Sequence, residues 1–340
     1  MTRRVAVLGT GLIGASIGLG LRTAGHRVVG WDPNASALEE AAGRGALDTA
    51  ASSGDRAVAG ADVVVLAGPL DAVVGSVRSL DTDALVTDVA GVKAPVVEAA
   101  AHLDRFVGGH PMAGRERGGP GAASGSLFRG AGWVLATDRA AEDDLGAVEG
   151  LVRDLGARPI RVTADEHDRA VAVVSHLPQV LAATLLEMAG DRPGVLDLAA
   201  GSFRDLTRVA SSDPGMWAPV LAANREVLGD VIESLATRLR TWPPDAEAGR
   251  TADRLSSAAN LRATLAPPVV AVRVALVDRP GELARVGRAL AETGVDVRDL
   301  QLRHGPHGGG GVLTISVRPG EAAALAEGLT TEGLDVVGTA

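Results

Sequence analysis

The sequence predicts an α/β protein in three parts: a doubly wound parallel sheet, an all-helical domain and a C-terminal ferredoxin-like α+β module. Short β-branched runs alternate with helical stretches up to about residue 162, which is typical of a parallel sheet flanked by helices. Long apolar-periodic stretches without a strand pattern follow, up to about residue 240. From Val269 the pattern reads β-α-β-β-α-β, the order of elements in ferredoxin-like modules.

The predicted domain boundaries lie where these patterns change. The run Trp242-Pro-Pro244 breaks a helix, and the pair Pro267-Pro268 marks a second boundary. We therefore expect domains at 1–162, 163–262 and 268–340. The strands of the first domain are predicted at Val5–Leu8, Arg27–Trp31, Asp62–Leu66, Leu85–Asp88, Arg105–Gly108, Gly132–Ala136 and Arg158–Val162. The long helices of the second are predicted at Ala170–Met188 and Pro219–Leu239.

The third domain is predicted to contain four strands, two helices and a flexible hairpin. The strands are expected near Val269–Val277, Val295–Leu302, Gly311–Val317 and Asp335–Gly338. The helices are expected near Gly281–Thr293 and Glu321–Thr331, and the hairpin at His307 and Gly308–Gly311.

Composition and charge exclude several classes of protein. The 340-residue chain carries a formal net charge of −9, which argues against a nucleic-acid-binding surface. It contains no cysteine, so disulfides and thiolate metal sites are excluded, and the composition is compatible with a cytoplasmic protein. No apolar run approaches the roughly 18 residues of a membrane span, so no membrane association is expected. No grouping of His, Asp and Glu has a metal-ligand spacing, and no metal is expected.

A glycine motif between the first predicted strand and helix indicates a Rossmann-type dinucleotide site. Its first glycine allows a tight turn, the second lets the backbone approach a pyrophosphate, and the third permits close helix–strand packing. Asp32 ends the second predicted strand, where a carboxylate can bond both ribose hydroxyls and repel a 2′-phosphate, so NAD is expected rather than NADP. The residues predicted to bind it are Gly9, Gly11, Leu12, Ile13, Gly14 and Asp32.

Three later segments are unusually rich in polar groups. Residues 108–116 read GGHPMAGRE and follow the fifth predicted strand, at the carboxyl edge of the sheet where ligands bind. His110 is therefore a candidate general base. Residues 165–179 read DEHDRAVAVVSHLPQ, and residues 201–217 read GSFRDLTRVASSDPGMW.

Together, the HPMAG, SHLP and FRD-x-TR-x-A-x-SDP-x-MW stretches closely resemble the prephenate dehydrogenase family. The resemblance covers essentially the whole chain. It implies the oxidative decarboxylation of prephenate to 4-hydroxyphenylpyruvate with NAD(P)⁺, a step toward tyrosine. In this family a base takes the proton of the C4 hydroxyl, hydride leaves C4 for the nicotinamide, and the ring carboxylate departs as CO₂.

The resemblance also implies roles for individual residues. His110 would be the base or a polarising hydrogen-bond partner. Arg208 would hold a substrate carboxylate, a task that suits its bidentate geometry, with Arg204 in support. Glu116 would pair with Arg208 and gate entry. The other implied substrate contacts are His176, Gln179, and, from the partner subunit of a homodimer, Ser212, Met216 and Trp217.

Several of these polar residues also have simpler structural explanations. His176 lies among apolar residues and could be a hydrogen-bonded core histidine. Trp217 could pack in the core of a dimer interface without contacting the substrate. Four other residues of these segments could cap helices, namely Asp205, Asp213, His167 and Asp168.

Two positions depart from the family pattern, and both concern the substrate. Gly91 stands where the family often has a serine that helps the base and the substrate hydroxyl. Gln179 stands where many members have a histidine, so a neutral amide replaces a group that can carry charge. These departures keep two amino analogues open as substrates: arogenate, and 4-amino-4-deoxyprephenate, in which the C4 hydroxyl itself is replaced.

The turn at 278–283, Asp-Arg-Pro-Gly-Glu-Leu, resembles that of ACT domains, which commonly bind amino acids. This resemblance makes tyrosine a candidate effector of an ACT-like domain, and a dimerising module without a ligand is the alternative.

Two other classes of protein stay open. A non-catalytic amino-acid-sensing homologue would account for both departures, but the retained His110 and Arg208 weigh against it. A 3-hydroxy acid dehydrogenase usually relies on a lysine in its helical domain, whereas the one lysine here, Lys93, precedes that domain.

Overall fold

A computed structural model describes residues 2–115, 118–242, 248–265, 269–304 and 310–339. The chain divides into two compact units, residues 1–240 and 241–340. The first unit carries both the predicted nucleotide motif and the three polar segments, and the second carries the predicted ferredoxin-like module.

The first unit contains a six-stranded parallel sheet with helices in its connections. Its strands are β1 (Arg4–Leu8), β2 (Arg27–Trp31), β3 (Thr49–Ala50), β4 (Val63–Leu66), β5 (Leu85–Asp88) and β6 (Phe106–Val107). Its helices are α1 (Leu12–Thr23), α2 (Ala35–Gly43), α3 (Gly54–Val58), α4 (Leu70–Ser79) and α5 (Ala94–Ala99). The strand order β3-β2-β1-β4-β5-β6 is that of doubly wound sheets that bind dinucleotides.

The central strand β4 is apolar at every position because both faces of the sheet are covered. In β4, Val63 and Val65 face one hydrophobic core, while Val64 and Leu66 face the other. Helix α1 contributes Ile17 to the first core. Successive side chains of a strand point to opposite faces, so two buried faces require an apolar residue at every position.

The predicted strands at 132–136 and 158–162 form, but they do not extend the doubly wound sheet. With residues 109–111 they make a second sheet of three strands in the order β7-β8-β9. These strands are β7 (Gly109–Pro111), β8 (Gly132–Ala136) and β9 (Arg158–Val162), and β7 runs antiparallel to β8. The chain passes so close to the end of β5 that a Cβ on Gly109 would lie 2.6 Å from the carbonyl oxygen of Asp88. The next helix, α6 (Glu142–Asp154), contributes to the first core.

The rest of the first unit is helical, as predicted. Its helices are α7 (Ala164–Val171), α8 (Leu177–Gly190), α9 (Gly201–Thr207), α10 (Pro214–Ala223) and α11 (Arg225–Arg240). The first long helix begins at Ala164, earlier than the predicted Ala170, because Thr163 and Glu166 form a capping box there. The predicted helix at 219–239 is two helices that meet at Asn224.

A π-helical turn, Ala172–His176, joins α7 to α8. His176 follows His167 by nine residues, which in a regular α-helix is about two and a half turns and places the two side chains on opposite faces. The wider π turn absorbs one extra residue and rotates His176 toward the face that carries His167. Both histidines are buried.

The segment Ala164–Gly190 meets the length and hydropathy of a membrane span, with a mean hydropathy of 1.4, a test that core helices of water-soluble proteins also pass. It carries the buried polar residues His167, Asp168 and His176 on one side. Its other side exposes Val174 and Met188. The segment therefore buries three polar side chains within the first unit and leaves some of its apolar side chains exposed.

The second unit contains a four-stranded antiparallel sheet with two helices in the predicted β-α-β-β-α-β order. These elements are β10 (Val270–Leu276), α13 (Glu282–Thr293), β11 (Asp299–His304), β12 (Gly311–Val317), α14 (Ala322–Thr331) and β13 (Asp335–Thr339), and a third helix, α12 (Ala248–Thr264), precedes them. Val272, Ile315 and Leu325 are fully buried between sheet and helices. Most of the predicted hairpin, including His307, lies outside the described residues.

Candidate active site

The glycine loop between β1 and α1 is tightly built at two of its glycines and open at the third. Gly9 has a φ of 97°, and its N–H donates to the carbonyl oxygen of Trp31 at 2.8 Å. A Cβ on Gly14 would lie 1.9 Å from the carbonyl oxygen of Gly9. A Cβ on Gly11, by contrast, would meet none of the described atoms within 4 Å. The open space therefore lies beside Gly11, where α1 begins and its first N–H groups have no helical partner.

Asp32 braces this loop from the end of β2. Its Oδ2 accepts the backbone N–H of Thr10 at 2.6 Å, and its Oδ1 accepts that of Asn34 at 2.8 Å. The carboxylate is half-buried, and a carboxylate offers about four acceptor positions. Asp32 thus holds the loop in place and keeps capacity for a further donor.

His110 stands on β7 and belongs to a chain of hydrogen-bonded side chains. Its Nδ1 lies 2.9 Å from Nε2 of His167. The Nδ1 of His167 lies 2.7 Å from Oδ1 of Asp168. The candidate base is therefore linked through a second histidine to a buried carboxylate.

Asp168 connects this chain to the rest of the site. Its carboxylate accepts the backbone N–H groups of Lys93 and Ala94, each at 2.8 Å. Its carbonyl oxygen accepts Nδ2 of Asn224 at 2.8 Å, and that nitrogen lies 3.2 Å from Nδ1 of His176. One residue thus ties the loop before α5 to the two predicted site histidines.

A fully buried ion pair lies beneath His110. The ammonium of Lys93 donates to Oδ2 of Asp88 and to the carbonyl oxygen of Gly109, the latter at 2.6 Å. Oδ1 of Asp88 accepts the N–H of Gly109 at 3.0 Å. Burial lowers the pKa of Lys93, and the Asp88 carboxylate opposes that shift. The pair therefore holds the strand that carries His110 against the end of β5.

The surroundings of His110 favour the neutral imidazole. Burial is the largest cause that lowers its pKa well below the usual value, followed by the charge of Lys93 and by His167 and His176. Part of the residue surface stays exposed although most of the ring is enclosed. A Cβ built on Gly91 would lie 3.7 Å from Nε2 of His110. The second ring nitrogen therefore faces the position where the family often has a serine.

The predicted substrate residues occupy different parts of the site. His176 is buried and makes an edge-to-face contact with Trp217, at 6.1 Å between ring centroids. Within the described part of the chain, Oε1 of Gln179 and Nε1 of Trp217 are buried without a hydrogen-bond partner. Unpartnered buried polar atoms are costly, so each of these two has capacity for a hydrogen bond to water or to a bound polar group.

The remaining predicted residues lie on the segments after α8. Arg204 is exposed on α9, and Arg208 is exposed at the start of a 3₁₀ turn that packs against α8. Ser212 donates its hydroxyl to the carbonyl oxygen of Val209 at 2.7 Å. Glu116 lies outside the described residues.

Five buried residues of the site were not predicted from the sequence to work together. They are Asp88, Lys93, His167, Asp168 and Asn224. The suggestion that His167 and Asp168 cap a helix start is wrong for α7, because Thr163 and Glu166 provide that cap. The available signal was a carboxylate, Asp88, at the end of a buried strand, followed five residues later by Lys93, the one lysine of the sequence. Among the described residues, no group of three or more His, Cys, Asp or Glu side chains has an arrangement that could hold a metal ion.

The strand order, the open glycine loop and a neutral histidine at the carboxyl edge of the sheet define a dinucleotide-binding dehydrogenase with a helical second domain. The model for the prephenate dehydrogenase nucleotide-binding domain matches residues 17–161, and that for the prephenate dehydrogenase dimerization domain matches residues 163–243. The chain belongs to the prephenate dehydrogenase family.

Individual relatives agree with the family models. The prephenate dehydrogenase of Bacillus subtilis (strain 168) is 29% identical over 356 residues, covering 96% of this chain and 95% of the relative. Prephenate dehydrogenase from A. aeolicus, solved with hydroxyphenyl propionate and NAD⁺, superposes with a TM-score of 0.70 at 27% identity, covering 78% of this chain and 99% of that one. Synechocystis arogenate dehydrogenase gives a TM-score of 0.69 at 28% identity, covering 77% and 100%.

Proposed function

We propose that the chain is an NAD-dependent prephenate dehydrogenase that oxidatively decarboxylates prephenate to 4-hydroxyphenylpyruvate in tyrosine biosynthesis. The observation that carries the proposal is the neutral His110, whose Nε2 faces Gly91 at the carboxyl edge of the nucleotide-binding sheet. Family membership supports the same reaction.

The residues present can perform the proton transfer that this reaction needs. Nε2 of His110 takes the proton of the C4 hydroxyl as the C4–H bond breaks. NAD⁺, when bound, accepts the hydride from C4. The bond between the ring and its carboxylate then breaks, CO₂ leaves, and its electron pair completes the aromatic ring. The phenolate oxygen formed in this way takes back the proton from His110, so one substrate gives one hydroxyphenylpyruvate, one CO₂ and one NADH with no net release of a proton.

The glycine loop fits a dinucleotide. The space beside Gly11 suits a pyrophosphate against the first N–H groups of α1, and Asp32 has acceptor capacity for a ribose hydroxyl. The complex of the A. aeolicus relative with NAD⁺ supports this choice of cofactor. The proposed contacts are Gly9, Gly11, Leu12, Ile13, Gly14 and Asp32.

Gly11→Ala is expected to weaken NAD⁺ binding at least tenfold while lowering the melting temperature only slightly, through the poorer N-cap of α1. The added methyl group meets no described protein atom, so the free protein tolerates it, but it occupies the space proposed for the pyrophosphate. Isothermal titration with NAD⁺ and a thermal melt measure the two effects. Gly75→Ala on the exposed side of α4 is the matched control: it should leave NAD⁺ affinity unchanged and raise the melting temperature slightly, because alanine favours a helix interior. Equal NAD⁺ affinity in Gly11→Ala would contradict the placement.

On the substrate side, we propose that Arg208 binds a carboxylate, with Arg204 in support and Glu116 paired to Arg208. His176, Gln179, Ser212 and Trp217 complete the proposed pocket. The unpartnered polar atoms of Gln179 and Trp217 support this role.

Arg208→Ala is expected to raise KM for substrate about 10- to 100-fold with a smaller change in kcat, because a charge-assisted bidentate pair is lost. Unchanged kinetics would reject the carboxylate role.

Gly91 also favours a second candidate substrate class, the amino analogues. No side chain at this position contacts Nε2 of His110, so the C4 substituent loses a hydroxyl partner. The arogenate dehydrogenase among the similar structures makes an amino substrate chemically relevant. Purified protein should be offered prephenate, arogenate and 4-amino-4-deoxyprephenate with NAD⁺ or NADP⁺, following the reduced cofactor. Prephenate is expected to react fastest, and no turnover of any substrate would overturn the proposal.

The proposal includes a homodimer in the cytoplasm with domains at 1–162, 163–262 and 268–340. The match to a dimerization domain and the exposed Val174, Leu206 and Met216 support the dimer.

We further propose that the C-terminal module is ACT-like and binds tyrosine near the turn at Gly281, whose φ is 94°. Adding millimolar tyrosine to the same assay tests this effector, and an unchanged rate would count against it.

A further inference from the structure

We propose that His167 and Asp168 are positioning residues that hold His110 in the tautomer with the proton on Nδ1, which leaves Nε2 free to act as the base. The tautomer of His110 is a property of the free protein. The role of its Nε2 as the base rests on the proposed function.

The proton positions on the two histidines follow from the carboxylate of Asp168, to which they are linked by hydrogen bonds. Both oxygens of the Asp168 carboxylate act as acceptors, Oδ1 for the N–H of Lys93 and Oδ2 for that of Ala94, as in an ionised carboxylate. An ionised carboxylate only accepts hydrogen bonds. The Nδ1 of His167, at 2.7 Å, must therefore be the donor.

The proton position on His167 then determines the proton position on His110. A neutral His167 with its proton on Nδ1 presents a lone pair at Nε2. That nitrogen lies 2.9 Å from Nδ1 of His110, which must then carry a proton. His110 is itself neutral because its pKa is lowered, so its Nε2 has a lone pair. That lone pair faces the side of Gly91.

The two positioning residues are themselves held firmly. His167 lies on the first turns of α7, directly after the capping box formed by Thr163 and Glu166. Asp168 is fixed by two backbone donors from one direction and by Asn224 from another. The His167–Asp168 pair can therefore orient the ring of His110 as well as choose its tautomer, as a carboxylate does for a catalytic histidine in a hydrolase triad.

The first test is nitrogen NMR of the full chain labelled with ¹⁵N at its seven histidines. The His110→Gln and His167→Gln variants assign the two resonances by their loss. We expect both histidines to be neutral with the proton on Nδ1. A proton on Nε2 of His110, or a doubly protonated His167, would overturn the inference. This measurement needs no substrate, so it stands or falls separately from the proposed function.

The second test compares two replacements of His167. His167→Leu removes the acceptor for Nδ1 of His110 and is expected to lower kcat about 10- to 100-fold, part of the 10²- to 10⁴-fold worth of a general base. His167→Gln offers an amide oxygen near the original Nε2 and should recover at least half of that loss on a logarithmic scale. KM and NAD⁺ affinity should stay within about twofold in both variants.

The matched control is His26→Leu. His26 is also a buried histidine paired with an aspartate, with Nε2 3.0 Å from Oδ2 of Asp154, but it lies outside the candidate active site. It should leave kcat and the tautomer of His110 unchanged. Equal kcat losses in His167→Leu and His167→Gln, with the NMR tautomer of His110 unaltered, would reduce His167 to a packing residue and contradict the proposal.

Discussion

His110→Asn is expected to lower kcat about 10²- to 10⁴-fold while NAD⁺ affinity stays within about twofold. The asparagine amide can reproduce the hydrogen bond from Nδ1 to His167, so the substitution removes chiefly the Nε2 group that faces Gly91. Steady-state kinetics and NAD⁺ titration measure the two quantities. The exposed His102 supplies the control His102→Asn, which should change neither kcat nor NAD⁺ affinity. A variant that keeps more than a tenth of the rate would exclude His110 as the base.

The pH dependence of the intact enzyme adds a second criterion for the same residue. A base must be neutral, so the rate falls as the pH drops through its pKa. Because burial and the charge of Lys93 lower the pKa of His110 well below 6.5, log(kcat/KM) should remain level as the pH falls through 6.5, with the acid limb at lower pH. An acid limb centred at or above pH 6.5 would show that the base in the free enzyme is another group, or that the pKa of His110 is not lowered.

Lys93→Met is expected to destabilise the first unit by about 3–5 kcal/mol at pH 7. The substitution leaves the carboxylate of Asp88 fully buried without its cation, and removing one partner of a buried pair costs far more than removing an exposed one. Urea unfolding followed by tryptophan fluorescence gives the free energy of unfolding. A loss below about 1 kcal/mol would contradict the buried charge pair.

Two further variants isolate the cause of that loss. Arg22→Met breaks the ion pair with Asp48, which is about one-third exposed, and should cost no more than about 1 kcal/mol. The double variant Lys93→Met with Asp88→Asn removes both charges and should be more stable than Lys93→Met alone. Lower stability of the double variant would show that packing, and not the orphaned carboxylate, dominates.

The features that the sequence predicts well are those encoded over a short stretch. The glycine loop is set by Gly9 and Gly14, whose neighbouring backbone leaves no room for a side chain. The strand at 63–66 is predictable because a continuous apolar run bounded by polar residues fits a sheet buried on both faces.

The features that local patterns miss depend on distant contacts. His110 and His167 are 57 residues apart in the chain, and Lys93 and Asp168 are 75 apart, so no local pattern joins them. The separate sheet of β7, β8 and β9 has strands with ordinary sequences. Only the course of the chain past Asp88 at Gly109 distinguishes it from a continuation of the larger sheet.

The π turn between α7 and α8 has a consequence for comparing this chain with its relatives. A helix that lacks the turn reaches its counterpart of His176 with one residue fewer. An alignment between the two must therefore place a one-residue gap within 172–176. If the gap is instead placed after residue 179, the motif at 175–179 shifts by one position, and Gln179 is then equated with a residue that occupies a different side of the helix.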